Sequence, residues 1–398
     1  MTEVILVSLG GGPGTRTADC TAALGQAECI LGAGRLLDGL PQGCTQNRIA
    51  AIRPEALLDA ILQQTGTCAV VFSGDTGFYS GARGLLPLLR ERGIPVELLP
   101  GVSSVQLLSA QLGRPWQDWV LVSAHGADCD VIGAVTQGRP AFFLTGVLSP
   151  RAICARLAEA GLGSLPVTVG TRLSEPEELV TTGTAEQLAQ RDFHPRSVLL
   201  AEAAPRLDRR VPGFPDHTFL RGAVPMTKQE VRTAALAKLG VRRDGVYWDI
   251  GAGTGSVGVE LALAAEQGRV FAIEYSPAAL DLIHANRAKF CAWNLQVVED
   301  RAPEGLAALP APDGVFIGGS GGRLGVIVDL VLARNAQAHI CISAIALETL
   351  STALAVLERH GIEAQVTQIA VSRSRPAGDL HLLAANNPIF LVTGNCDD

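Results

Sequence analysis

The sequence has few aromatic residues, no paired cysteines and no excess of positive charge, and each shortage excludes a class of protein. Its formal net charge of −7 provides no basic field for nucleic acid or an anionic membrane. The nine cysteines are dispersed without a Cys-x-x-Cys pair or a zinc spacing, which is typical of reduced thiols. No apolar run reaches the ~18 residues of a membrane span, and Met1-Thr2-Glu3 leads directly into a predicted strand. We therefore expect a cytoplasmic protein without a metal site that binds neither nucleic acid nor membrane.

What is abundant is hydrophobic residues, at 47%, together with 44 Gly and 22 Pro among 398 residues. This composition is typical of an α/β enzyme, and the length exceeds one ordinary core. Strand-like and helical segments alternate along the chain, which predicts α/β architecture. The predicted strands are 4–9, 69–73, 96–99, 120–123, 141–144, 167–170, 198–200, 245–250, 269–274, 295–298, 314–317, 338–343 and 363–370. The predicted helices are 55–64, 84–92, 228–239, 256–266, 277–290 and 347–359.

The alternation stops between Pro205 and Pro225. This stretch contains four prolines and the arginines Arg206, Arg209 and Arg210, without a helical or strand period. Such composition is typical of a linker. We predict domains at residues 1–204 and 213–398, joined by a linker at 205–212.

A strand predicted just before residue 251 runs into a loop whose glycines are Gly251, Gly253 and Gly255. Glycines allow the tight turn and a close approach of backbone N–H groups to a ligand. Asp249 can accept a hydrogen bond from a ligand amine or from loop amides, and Glu274 ends the next strand, where an acid accepts hydrogen bonds from ribose hydroxyls. Ser256 stands where a dinucleotide fingerprint has its third glycine. The loop favours S-adenosylmethionine, with a nicotinamide-dependent oxidoreductase as the alternative.

Four loops of the first half follow predicted strands and are rich in Gly and Ser. They are Gly10-Gly11-Gly12-Pro13-Gly14, Ser73-Gly74-Asp75-Thr76-Gly77-Phe78, Pro100-Gly101-Val102-Ser103-Ser104 and Ser123-Ala124-His125-Gly126. Loops at the carboxyl ends of strands are where open α/β sheets bind ligands. The first loop lacks the Gly-Lys-Ser/Thr of a phosphate-binding P-loop. Taken singly, each is interpreted as an ordinary turn between a strand and a helix.

Taken together, the first three loops resemble those of the tetrapyrrole methylases that act on precorrins. This resemblance implies a two-lobed α/β domain with S-adenosylmethionine in a cleft. Thr76 departs from the proline that many members have there, and the Ser123-Ala124-His125-Gly126 stretch resembles the branch that acts late in corrin synthesis. The cofactor contacts that the resemblance implies are Gly12, Pro13, Ser73, Gly74, Asp75, Gly77, Ser103 and Ser104.

The second half resembles the decarboxylating precorrin methyltransferases, which implies a Rossmann-like class I methyltransferase domain. The similar segments are 225–232, 249–255, 302–304 and 317–322, and 215–219 is similar to the N-terminal arm of that family. Arg301 departs from the acid usual before Ala302-Pro303-Glu304, and Ser343 stands where members often have Asn. The implied cofactor contacts are Thr227, Asp249, Gly251, Gly253, Gly255, Glu274, Asp300, Arg301 and Gly318.

The order and fusion of the two halves resemble the precorrin-6Y C5,15-methyltransferases (decarboxylating) of cobalamin biosynthesis. This resemblance implies a homo-oligomer with two S-adenosylmethionine sites, one per domain. The first domain would methylate carbon 5 of a precorrin; the second would methylate carbon 15 and release the ring-C acetate carboxyl as carbon dioxide. The alternatives are a related methylase with one active domain, the oxidoreductase, and a non-catalytic tetrapyrrole carrier.

A precorrin carries many carboxylates, for which arginine is the suitable partner. No catalytic base is predicted, because a reduced corrin framework is itself nucleophilic and needs mainly alignment with the methyl donor. His125 is a candidate proton relay or structural hydrogen-bonder. The candidates for substrate contact, chosen by position, are Arg16, His125, Lys228, Arg232, Arg323, Arg373 and Arg375.

Overall fold

The structure is a computed structural model that describes residues 2–207 and 211–395. The chain divides into two compact units. The first comprises the chain up to Asp130 together with Arg139–Ala158 and Gly163–Ala203, and the second comprises the remaining described residues. Arg209 and Arg210 of the predicted linker lie outside the described residues, as do residues 396–398. The domain limits inferred from sequence remain a prediction.

The first half of the chain contains two five-stranded sheets. Their strands are β1 Glu3–Ser8, β2 Cys29–Gly32, β3 Arg48–Ala50, β4 Thr67–Phe72, β5 Val96–Leu99, β6 Val120–Ser123, β7 Ala141–Leu144, β8 Pro166–Thr171, β9 Leu179–Thr184 and β10 Ser197–Ala201. The order β3-β2-β4-β1-β5 is parallel throughout, and β6-β7-β10-β8-β9 is mixed. The helices are α1 Ala18–Gln26, α2 Gly34–Asp38, α3 Pro54–Leu62, α4 Ala82–Glu91, α5 Ser104–Leu112, α6 Val131–Val135, α7 Pro150–Leu157 and α8 Ala185–Leu188.

The second half is built on one seven-stranded sheet and a separate hairpin. Its strands are β11 Val246–Ile250, β12 Arg269–Glu274, β13 Leu295–Glu299, β14 Gly314–Ile317, β15 His339–Ala344, β16 Gln365–Ile369, β17 Ser372–Ala377, β18 Leu380–Ala385 and β19 Ile389–Gly394. The sheet order is β13-β12-β11-β14-β15-β19-β16, with β19 antiparallel to both neighbours, and β17 pairs with β18. The helices are α9 Gln229–Lys238, α10 Ser256–Ala264, α11 Pro277–Lys289, α12 Leu324–Arg334 and α13 Leu347–Arg359.

Strand β11 shows why a ligand of the second unit's sheet is expected at the carboxyl ends of the strands. Trp248 and Ile250 pack into one apolar layer, whereas Tyr247 packs into the layer on the opposite face. A strand buried on both faces is typical of a parallel sheet covered by helices. The faces are therefore filled, and the loops at the carboxyl ends remain for ligands.

The predicted fold class is confirmed: a two-sheet α/β first half and a Rossmann-like second half. Every predicted strand and helix is present, with bounds that agree within two residues. The structure adds β2, β3, β9 and the helices α1, α2 and α5 to α8 to the first half, and α12, the β17–β18 hairpin and β19 to the second. Among the described ranges, no helix combines the length and the hydropathy that a membrane crossing requires.

Candidate functional site

A cleft of about 1040 Å³ opens at the carboxyl ends of the parallel strands of the second unit. Strands β11 to β15 are parallel neighbours, so the loops that follow them meet at one edge of the sheet. Drug-sized ligands occupy pockets of roughly 300–1,000 Å³, so this cleft has room for a cofactor and part of a second molecule. The segments that line it include 223–228, 250–253, 273–276, 300–302, 317–324, 342–343 and 345–346.

The glycine loop after β11 has a backbone that favours glycine. Gly251, Gly253 and Gly255 all have positive φ, at 69°, 55° and 73°. A Cβ atom on Gly251 would lie 2.5 Å from the carbonyl oxygen of Gly319 in the loop after β14. The two loops therefore depend on each other's shape, and Gly255 forms the N-cap of α10 behind them.

Glu274 holds the glycine loop and still has acceptor capacity for a ligand. Its Oε2 accepts a hydrogen bond from the amide of Gly253 at 2.9 Å, and Oε1 accepts from Tyr275 and Ser276 at 2.9 and 3.0 Å. A carboxylate offers about four acceptor positions. Three are used within the chain, which leaves one for a ligand hydroxyl.

Asp249 lies outside the cleft lining, beneath the glycine loop. Its Oδ2 accepts a hydrogen bond from the amide of Gly258 in α10 at 2.7 Å. Its Oδ1 is buried and has no hydrogen-bond partner among residues 2–207 and 211–395. Burial raises the pKa of this carboxyl to about 7; the Gly258 amide opposes the rise and the charge of Glu274 adds to it. The amide that it accepts from belongs to helix α10 and not to the glycine loop, and its contact with a ligand amine stays a prediction.

Arg301, the departure noted in the sequence, stacks on an aromatic ring in the cleft. Its guanidinium carbon lies 4.0 Å from the ring centroid of Tyr275. Its amide donates to Oδ1 of Asp300 at 2.7 Å. A cation–π contact of this kind is worth about 0.5–1 kcal/mol at an exposed site. The position therefore presents a flat, positively charged surface where the family usually presents an acid.

Two predicted substrate contacts, Lys228 and Arg323, also line this cleft. Arg323 Nη1 donates to both carboxylate oxygens of Glu304, at 2.6 and 2.8 Å. The backbone amide of Glu304 and the guanidinium of Arg323 lower the pKa of the Glu304 carboxyl. Arg323 is thus held by an acid that a substrate carboxylate would have to replace.

Arg232 requires correction as a substrate contact, whereas for Arg373 that role stays a prediction. Arg232 is fully buried, and its guanidinium pairs with Glu260 and Asp216 at 3.0 Å each. Arg373 pairs with Asp216 and Glu230. Both arginines are engaged by carboxylates of the chain itself, because they join segments of the fold. Arg375 is exposed on β17.

The lining residues fit an adenosine-bearing cofactor. One acceptor position of Glu274 suits a ribose hydroxyl, Tyr275 and Arg301 offer a flat surface, and Ile250 and Ile317 add apolar walls. Of the predicted cofactor contacts, Asp249 and Gly255 lie outside the lining. Those within it are Thr227, Gly251, Gly253, Glu274, Asp300, Arg301 and Gly318.

In the first unit, the loops after β1, β4 and β5 form one hydrogen-bonded cluster. Gly10 and Gly74 exchange two backbone hydrogen bonds, at 3.1 and 2.8 Å. Asp75 accepts from Gly101 at 3.0 Å and from Gly77 at 3.1 Å. These three strands are adjacent in the sheet. Their order brings the loop after β1, which carries Gly12 and Pro13, next to the loop at residues 73–77.

The other predicted residues of this half lie at helix starts and strand ends. Ser103 is buried and caps α5, where its amide donates to Gln106 at 2.7 Å, and Ser104 is the first residue of that helix. His125 follows β6, and its Nδ1 donates to the carbonyl oxygen of Thr145 at 2.9 Å. Arg16 follows the first glycine loop.

Ser174, in the loop between β8 and β9, was missed by sequence reasoning. Its φ is +67°, unusual for a serine, and its buried Oγ has no partner in the part of the chain that the structure describes. A Cβ atom on Gly12 would lie 3.1 Å from that Oγ. A strained residue with an orphan hydroxyl against a glycine loop is a functional-site candidate. No motif marks it, since only the fold brings residues 12 and 174 together.

Two family models match the chain. That of the tetrapyrrole (corrin/porphyrin) methylases matches residues 3–189, and that of the precorrin methyltransferase domain matches residues 218–394. A probable cobalt-precorrin-6B C(15)-methyltransferase (decarboxylating) from Pyrobaculum calidifontis is 43% identical over 185 residues, which are 46% of this chain and 95% of the relative. A crystal structure of precorrin-6Y C5,15-methyltransferase from Geobacter metallireducens is 41% identical, with a TM-score of 0.45, and covers 46% of this chain and 98% of that chain.

One further relative spans both halves of the chain. It is a precorrin-6Y C(5,15)-methyltransferase [decarboxylating] from a Sinorhizobium species, 31% identical over 327 residues. The match covers 80% of this chain and 78% of the relative. Since the similarity extends across the fusion of two matched domains, the chain belongs to the family of precorrin-6Y C5,15-methyltransferases (decarboxylating).

Proposed function

We propose that this chain uses S-adenosylmethionine to methylate a precorrin at carbons 5 and 15 and releases the ring-C acetate carboxyl as carbon dioxide. The proposal places one cofactor in each unit. The observation that carries it is the presence of two independent glycine-loop clusters, each at the carboxyl ends of adjacent parallel strands. Such strand ends are the usual ligand sites of open α/β sheets.

In the second unit, S-adenosylmethionine would supply an electrophilic methyl group. Glu274 would accept a hydrogen bond from its ribose, and Tyr275 with Arg301 would offer a flat surface to its base. Lys228 and Arg323 bind carboxylates of the tetrapyrrole at the cleft wall. Because a corrin precursor is itself nucleophilic, these residues act mainly by alignment.

In the first unit, the loops after β1, β4 and β5 would hold the second cofactor. Asp75 fixes the relative positions of two of these loops through its bonds to Gly77 and Gly101. The orphan Oγ of Ser174 faces the Gly12 backbone, where it would hydrogen-bond to the bound molecule. Arg16 is placed just beyond this loop to bind a substrate carboxylate.

The cellular setting is part of the proposal. Dispersed free thiols support a cytoplasmic enzyme. The family resemblance supports a homo-oligomer that acts on a small-molecule precorrin. Sedimentation of the purified chain measures the assembly, and a monomer would contradict that component.

Product analysis with isotope-labelled methyl groups tests the function. We expect the full chain, given a precorrin and labelled S-adenosylmethionine, to add two labelled methyl groups and release one carbon dioxide per substrate. Gly251→Ala should abolish methylation at carbon 15 and Gly101→Ala methylation at carbon 5, because a Cβ at residue 101 would lie 2.5 Å from Ser8 Cβ. Gly25→Ala, with nothing within 4 Å of its Cβ, is the control.

The alternatives give different products. A chain with one active domain would add a single methyl group, and Gly101→Ala or Gly251→Ala would then leave the product unchanged. An oxidoreductase would transfer no methyl group and would bind a nicotinamide dinucleotide. A carrier would release no carbon dioxide. Any of these results would overturn the bifunctional proposal.

A further inference from the structure

Four charged residues of the second unit form a network that we call the arm clamp: Asp216, Glu230, Arg232 and Arg373. Asp216 Oδ1 accepts from Arg232 at 3.0 Å, and its Oδ2 accepts from Arg373 at 3.1 Å. Arg373 Nη2 donates to both oxygens of Glu230, at 2.9 and 2.7 Å. Although burial opposes it, the two guanidinium groups lower the pKa of Asp216. The clamp therefore remains charged at neutral pH.

The clamp joins the cleft wall on the arm side to the buried core. Arg232, fully buried, also donates to the carbonyl oxygens of Thr227 and Phe214, at 2.5 and 2.6 Å. The amide of Gln229 donates to Asp216 at 2.9 Å. Thr227, which lines the cleft, is thereby fixed by the same network that binds Arg373.

At its other end, the clamp holds the β17–β18 hairpin. Among residues 2–207 and 211–395 the two strands pair only with each other, and every residue in them is exposed. A lone two-stranded hairpin is marginally stable in water. Its base, however, lines the cleft through Val371 and Asn386, which are joined by a hydrogen bond of 2.9 Å from the Asn386 amide. The position of this wall therefore depends on attachments such as Arg373.

The hairpin base lies at the end of the cleft away from the proposed cofactor. Ile389 pairs with Ile369, and Phe390 pairs with Ala344 at the carboxyl end of β15. In sheet order, β16 is five strands from β12, which carries Glu274. At ~4.8 Å per strand this separation is about 24 Å. If adenosine occupies the β12 end, the hairpin end is left for the tetrapyrrole.

We infer that Arg373 is a positioning residue for the tetrapyrrole in the second unit. It fixes the β17–β18 hairpin against the arm, so that Val371 and Asn386 form the substrate end of the cleft. Arg373 acts through the hairpin and makes no contact with reacting atoms. This inference rests on the proposed function, because it assumes that a cofactor and a tetrapyrrole share the cleft.

Steady-state kinetics of methylation at carbon 15, with the full chain, tests the inference. Arg373→Ala should raise KM for the tetrapyrrole by up to about fivefold, because the two ion pairs that it removes are partly exposed. It should change kcat by less than about twofold and leave the Kd of S-adenosylhomocysteine unchanged, because Arg232 still holds Thr227 in this variant. Arg373→Lys should recover part of the effect, since an ammonium cannot reproduce the two-acid fork.

His381→Ala is the control, because His381 is exposed on β18 of the same hairpin and is not one of the four clamp residues. Its KM should equal that of the wild type. Equal KM values for Arg373→Ala and His381→Ala would overturn the inference, as would a parallel rise in the Kd of S-adenosylhomocysteine. A wild-type chain that releases no carbon dioxide would instead contradict the proposed function, so the two failures are distinguishable.

Discussion

Replacing Asp249 by Asn removes a fully buried ionisable group from beneath the second glycine loop. The folded chain holds this carboxyl at a pKa of about 7, whereas an unfolded Asp titrates near ~3.9. Between these values the folded state keeps a proton that the unfolded state releases. Stability therefore falls as pH rises from about 4 to about 7, and it is constant with respect to this group above that range.

The magnitude follows from the shift. About three pKa units at ~1.36 kcal/mol each give a cost on the order of 4 kcal/mol at pH 8 relative to pH 4. Asn cannot ionise, so the difference in free energy of unfolding between Asp249→Asn and the wild type should increase by that amount over the same range. A constant penalty of about 1–3 kcal/mol for the new, unpartnered amide shifts the whole curve without changing its slope.

Urea unfolding at several pH values, with hydrogen exchange at the β11 amides, measures this difference in the full chain. Asp281→Asn, at an exposed carboxyl on α11, controls for the loss of one charge. Parallel curves for Asp249→Asn and the wild type between pH 4 and 8 would refute the reasoning. They would show that the Asp249 carboxyl is not isolated from solvent and charge as its burial indicates.

Three further predictions concern the two sites. Gly251→Ala should weaken S-adenosylhomocysteine binding at the second site at least ~10-fold in calorimetry, because its Cβ meets Gly319; unchanged affinity would contradict this contact. Ser174→Ala should weaken binding at the first site about 5- to 10-fold without lowering the Tm, since it removes one hydroxyl and keeps the backbone; unaltered binding would make Ser174 structural. Glu304→Gln should lower KM for the tetrapyrrole a few-fold by releasing Arg323, with little change in Tm because the pair is exposed; a raised KM would contradict this.

The sequence predicted those strands and helices whose apolar residues repeat with a clear local period. The loop at Gly251–Gly255 could be placed because a buried strand ends just before it and a helix follows at once. β19 is itself apolar, but its place between β15 and β16 is set by antiparallel pairing, which with β15 spans more than forty residues of sequence. Such long-range register has no local signal. The β17–β18 hairpin is exposed on both faces, so it lacks the alternation that marks a half-buried strand.

Residues of the candidate site could be predicted where they belong to a recognisable sequence motif. Glu274 followed from its place at the end of β12, and its three amide contacts agree with that position. Ser174 did not follow, since no pattern connects it to Gly12. Arg232 was wrongly predicted as a substrate contact, because a charged side chain near a motif is expected to face solvent or substrate. The sequence does not show that Glu260, far along the chain, pairs with it in the core.

Calorimetric titration of the full chain with S-adenosylhomocysteine tests the central claim, that each unit binds its own cofactor. The wild type should bind two molecules per chain, and Gly101→Ala and Gly251→Ala should each bind one. Combining both substitutions should abolish binding. One site per chain in the wild type, lost with a single substitution, would contradict the claim that the two glycine-loop clusters serve two cofactors.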